Sequence, residues 1–70
     1  MYEIGDLLSL SNNKKYIVVN KIVIDNNEYL YLISQDGIKE IKICRVYNNL
    51  LKVVTDQSLL KSLIEKFQNM

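Results

Sequence analysis

The segment NEYLYLIS, residues 27–34, alternates tyrosine with leucine. As a β-strand it points Tyr29, Tyr31 and Ile33 to one side and Leu30 and Leu32 to the other, because successive side chains alternate across the pleat. Both sides are apolar. The fold therefore turns on what covers each face of the sheet that holds this strand.

Four polar interruptions surround the segment: SNNK at 11–14, DNNE at 25–28, QDGI at 35–38 and YNNL at 47–50. Asn and Asp tolerate positive φ and Gly accepts either sign, which is what tight hairpin turns require. Each interruption lies between runs of β-branched or aromatic residues, the composition of strands. The pattern predicts five antiparallel strands in a meander, over residues 5–10, 15–24, 28–34, 38–46 and 50–54. Beyond Val54 the period changes. Leu59, Leu60, Leu63, Ile64 and Phe67 fall within an arc of about 140° on a helical wheel, predicting an amphipathic helix over 56–68. Thr55 is expected to cap it, with Asp56 in the positive field of the helix dipole and Val54 stapled onto Leu59.

Counting outward from two-residue turns at Asn26–Asn27 and Asp36–Gly37 gives an expected register. Ile24 pairs with Tyr29 and Ile22 with Tyr31; Leu32 pairs with Ile41, Leu30 with Ile43, Tyr31 with Lys42 and Tyr29 with Cys44. One face then collects Ile17, Val19, Val23, Leu30, Leu32, Ile41 and Ile43, an aliphatic bed for the helix. The other collects Tyr16, Val18, Ile22, Ile24, Tyr29, Tyr31, Ile33 and Cys44, with Asn20 and Lys42 among them. A helix covers only about 10 Å of width, whereas five strands about 4.8 Å apart span more than twice that. The tyrosine face thus needs its own cover: closure of the twisted sheet around it, a second copy of the chain, or another ligand. Cross-strand packing is the ordinary role of such a tyrosine stripe. An interface is the functional one, with Tyr16, Ile22, Ile24, Tyr29, Tyr31 and Lys42 as the candidate interaction face.

Composition narrows the chemistry. Seventy residues, 49% apolar and 24% charged, describe one small folded domain. Domains of this size often rely on disulfides, metals or self-association. Cys44 is the single cysteine and histidine is absent, so neither an internal disulfide nor the usual structural zinc set can form. No apolar run approaches the roughly 18 residues of a membrane span, and MYEIGDLLSL lacks a basic leader. A cytoplasmic protein without membrane association is expected. The net charge of +1, with both signs interspersed, provides no field to steer a polyanion.

General acid–base chemistry needs converging titratable groups, and none converge in the sequence. Asp6, Asp25, Asp36 and Asp56 fall at turns or a cap, where local backbone bonds account for them. Cys44 falls in mid-strand without a histidine to activate it. The chain is therefore expected not to be an enzyme; no catalytic, cofactor or metal residues are assigned, and no small-molecule substrate is inferred. A small non-catalytic module for self-association or protein binding is the leading expectation. The alternative is a nucleic-acid-binding small barrel, in which Tyr29 and Tyr31 stack bases and Lys21, Lys39, Lys42 and Arg45 track phosphates.

The order YEIGD (2–6), KYIVVNKI (15–22), EYLYLIS (28–34) and LLKVVTDQSLLKSLIEKF (50–67) resembles short proteins of Gram-positive bacteria and their mobile elements. In these, a Tyr-x-Tyr-Leu strand precedes a Val- and Asp-marked entry into a terminal helix. Ile4, Gly5 and Asp6 are similar to the opening of SH3-like barrels. The resemblance implies a fold, α+β with a five-stranded meander, strongly twisted or partly closed, and one C-terminal helix packed on the sheet. It transfers no functional residues.

Overall fold

The computed structural model describes residues 2–37 and 39–69. Its strands are β1 (Leu7–Ser9), β2 (Lys15–Ile24), β3 (Asn27–Ser34), β4 (Ile41–Tyr47) and β5 (Leu50–Val53), followed by helix α1 (Gln57–Gln68). They form one antiparallel sheet in the order β1-β2-β3-β4-β5. The sheet curls into a half-barrel whose edge strands, β1 and β5, do not pair with each other.

The turns follow from asparagine and glycine. Asp25 and Asn26 (φ 51° and 66°) make the β2–β3 hairpin, and Asn48 and Asn49 (φ 49° and 66°) make the β4–β5 hairpin. Two successive positive φ values define the type I′ turn, whose twist matches that of the flanking strands. Gly5, at φ 96°, lets the chain enter β1 while its amide donates to the Val18 carbonyl at 2.7 Å, a conformation that strains any side-chain-bearing residue.

Three local features reset the expected register. The second hairpin turns on Asp25–Asn26 rather than Asn26–Asn27, so Ile24 faces Asn27 and Ile22 faces Tyr29. A β-bulge between Val18 and Asn20 then inverts the first half of β2 relative to the second. Tyr16 and Val18 turn to the concave side, opposite Ser34 and Leu32. Finally, the β3–β4 link is not a two-residue turn at Asp36–Gly37. The Ser34 amide donates to the Glu40 carbonyl at 2.9 Å, and the Glu40 amide donates to the Ser34 hydroxyl at 2.8 Å, making residues 35–39 the loop. An odd-numbered link slips β4 by one residue and turns every one of its side chains over. Tyr31 therefore pairs with Ile43, Leu30 with Cys44 and Tyr29 with Arg45. The expected start of this strand, residue 38, lies outside the described residues.

The faces are accordingly redistributed: Ile17, Ile41 and Ile43 lie on the helix side as expected, whereas Leu30 and Leu32 leave it for the hollow and Ile22, Ile24, Tyr29 and Tyr31 take their place. Curling buries the leucine side: Tyr16, Val18, Leu30, Leu32 and Cys44 fill the hollow, rimmed by Tyr2, Leu8, Leu10, Val46, Leu51 and Val53. The helix lies on the tyrosine side. Leu63 and Phe67 seat on Tyr29 and Ile43, with Ile22, Ile24, Tyr31, Val54, Leu60 and Ile64 around them. Burying each of these large side chains contributes about 1.5–3 kcal/mol. Cys44, the smallest apolar side chain of the strand, fits the narrow hollow opposite Leu30, while the bulkier Ile43 fills the space beneath the helix. Asp56 rather than Thr55 caps α1, its carboxylate accepting from the Ser58 and Leu59 amides at 2.9 and 3.3 Å.

Candidate interaction face

The six residues expected to share an interaction face divide between the two sides of the sheet. Ile22, Ile24, Tyr29 and Tyr31 come together, beneath α1. Tyr29 is 5% exposed, and the Tyr31 ring meets Phe67 edge-on at 5.2 Å with an interplanar angle of 66°. Tyr16 is fully buried in the hollow, its hydroxyl accepting from the Asn12 side-chain amide at 3.2 Å. Lys42 is on the hollow side, 4.0 Å from Glu40, which also holds Lys14 at 3.2 Å. That bond holds the Lys14 ammonium above its ordinary pKa. Tyr29 and Tyr31 are thus occupied by the helix, and neither presents an open ring for stacking.

A different set of residues remains uncovered on the helix side. Leu7 pairs with Ile17, Ile17 with Ile33, and Ile33 with Ile41. Directly paired residues share a face, so these four side chains form one row across four strands, on the side that carries Tyr29 and Tyr31. Leu7 is 66% and Ile41 53% exposed, with Ile17 and Ile33 half-buried between them. The reason lies in the path of α1. Its N-terminal end sits by β5, where Leu59 shares a pocket with Lys52 and Val53, and its C-terminal end sits by β2, where Phe67 meets Val19 and Asn20. The helix crosses the strands, so only its width, about 10 Å, extends along them. That spans the Tyr29 and Tyr31 rows, about 7 Å apart on one face, and leaves the Ile33 row bare.

The row continues into a groove of about 250 Å³ beside the helix, lined by Ile41, Ile43, Val54 and Leu60 among others. On the concave side, a cleft of about 260 Å³ separates the unpaired edges, lined by Ser9, Leu10, Leu50 and Leu51 and bridged by a 3.2 Å hydrogen bond from the Tyr2 hydroxyl to the Asn49 carbonyl.

The site's chemistry is apolar. Cys44 is fully buried, and burial pushes its thiol pKa up to about 11 despite the nearby Lys42 charge, the opposite of the activation a nucleophile needs. No group of three or more His, Cys, Asp or Glu is placed to hold a metal ion among the described residues, and no helix among them is long and apolar enough to cross a membrane. The sequence contained the four row residues, but locating them together required the bulge at Val19 and the length of the 35–39 loop. No family model matches the chain, and neither a curated protein nor a solved structure is found similar to it.

Proposed function

We propose that the protein is a small non-catalytic, cytoplasmic interaction module that self-associates through the Leu7–Ile17–Ile33–Ile41 row. The observation that carries this reading is the row itself: four aliphatic side chains in continuous register, exposed at both ends, beside the part of the sheet face that the chain's own helix covers. Contiguous apolar surface of this kind marks interaction sites on small proteins. A second copy suits it because the row is self-complementary. The row is apolar along its length, so a two-fold axis running along it meets apolar with apolar and places the two helices on opposite sides of the contact. The net charge of +1 opposes such pairing little. Four side chains from each copy are far fewer than the roughly 20–30 residues a side of a standard interface, so the association is weak and concentration-dependent.

Isotope-filtered NOE spectroscopy on a mixture of labelled and unlabelled chain tests the arrangement. Intermolecular methyl contacts among Leu7, Ile17, Ile33 and Ile41 are expected. Intermolecular contacts confined to the β1 and β5 edges would instead assign association to the cleft and overturn this reading.

A further inference from the structure

Beneath the N-terminal end of α1, Arg45 and Lys52 stand directly opposite each other on β4 and β5. Like charges in direct cross-strand register repel, and neither forms an ion pair with an acidic residue among the described residues. Both line a pocket of about 180 Å³ with Tyr29, Thr55, Asp56 and Leu59.

The guanidinium is held in place rather than free to seek solvent. Arg45 Nη2 donates to Asn27 Oδ1 at 2.7 Å, Cζ lies 5.5 Å from the centroid of the Tyr47 ring, and Nε is buried with no hydrogen-bond partner. Immobilising a partly buried cation is costly unless an anion compensates its charge. Asp56, the one acid lining the pocket, does not fill that role: its Oδ1 is engaged by the Ser58 and Leu59 amides, and it makes no ion pair with either cation. Its carboxylate answers the positive end of the helix dipole, so the uncompensated charge of the pocket is that of the two cations.

We infer that the Arg45–Lys52 pocket binds a phosphate group, as the free ion or as the ester of a small molecule. Two cations facing one pocket favour a dianion over a singly charged carboxylate, and a guanidinium already held by Asn27 loses little entropy on engaging it. The proposal is independent of self-association, because the pocket lies at the opposite side of the helix footprint from the Ile33 row.

The test is a titration of the ¹⁵N-labelled chain with inorganic phosphate at constant ionic strength. The expected result is a saturable shift of the amides of Arg45, Lys52 and residues 55–59, not reproduced by acetate. Lys52→Gln, at an exposed position that leaves the core intact, should weaken the response about tenfold or more, the loss of one charge-assisted contact. Arg45→Gln should abolish it, with the Lys52 variant carrying the test if the Arg45 variant folds poorly. Shifts that do not saturate, that acetate reproduces, or that persist unchanged in Lys52→Gln would overturn the assignment.

Discussion

Ser34 and Glu40 close the β3–β4 link as a pair, and the second of their two bonds uses a side chain: the Glu40 amide donates to the buried Ser34 hydroxyl at 2.8 Å. This contact fixes where the ladder begins, and therefore which side chains of β4 face the helix. Ser34→Ala leaves the Glu40 amide without its acceptor. A loss of about 1–3 kcal/mol is expected, measured by urea unfolding, with Gln35→Ala, at an exposed loop position, as the near-neutral comparison.

Because the helix sits on the tyrosines, Tyr29→Ser should damage folding itself. Removing a large aromatic from beneath Leu63 and Phe67 costs about 3–5 kcal/mol, and Leu63→Ala about 2–5 kcal/mol. Both losses should appear as lowered urea midpoints together with a weakened near-ultraviolet circular dichroism signal. Retention of full stability by Tyr29→Ser would show that the helix does not pack there.

The cap sits at Asp56, one residue beyond the Thr55 that the sequence suggests. Asp56→Ala should lower stability by about 1 kcal/mol, whereas Thr55→Ala should change it by a few tenths. The reverse order in thermal unfolding would place the cap at Thr55.

The two outcomes at residues 55 and 56 illustrate how far the sequence is readable. The meander and the terminal helix were legible because their signals are local: alternation in NEYLYLIS, the Asn- and Asp-rich interruptions DNNE and YNNL, and the apolar stripe from Leu59 to Phe67. The face assignment was not. KYIVVNKI contains no glycine or proline to mark the bulge at Val19, and Asp36–Gly37 is a strong two-residue turn signal that the Ser34–Glu40 pairing overrides. Each of these displaces side chains by one position, and a one-residue slip exchanges the faces. The expected tyrosine surface thereby moved under the helix, and the bare row at Leu7, Ile17, Ile33 and Ile41 emerged only from the assembled register.

Cys44 supplies a pH dependence of definite sign. Its thiol ionises near its ordinary value of 9.0 when unfolded and at about 11 in the fold. The burial contribution is therefore complete below pH 9 and is lost as the pH rises from about 9 to about 11, by a total on the order of 2 kcal/mol. Urea midpoints measured across that range should fall more for the wild type than for Cys44→Ala. A thiol reagent at neutral pH should label Cys44 at the rate of unfolding.

Self-association through the aliphatic row is the claim on which the functional reading rests, and sedimentation equilibrium over a wide concentration range, with the wild type beside Ile41→Lys, tests it most directly. The wild type should populate a reversible dimer that is little affected by salt, since the contact is apolar. Ile41→Lys should remain a monomer with an unchanged circular dichroism spectrum. A wild type that is monomeric at every concentration, or an Ile41→Lys variant that dimerises as well as the wild type, would contradict the account.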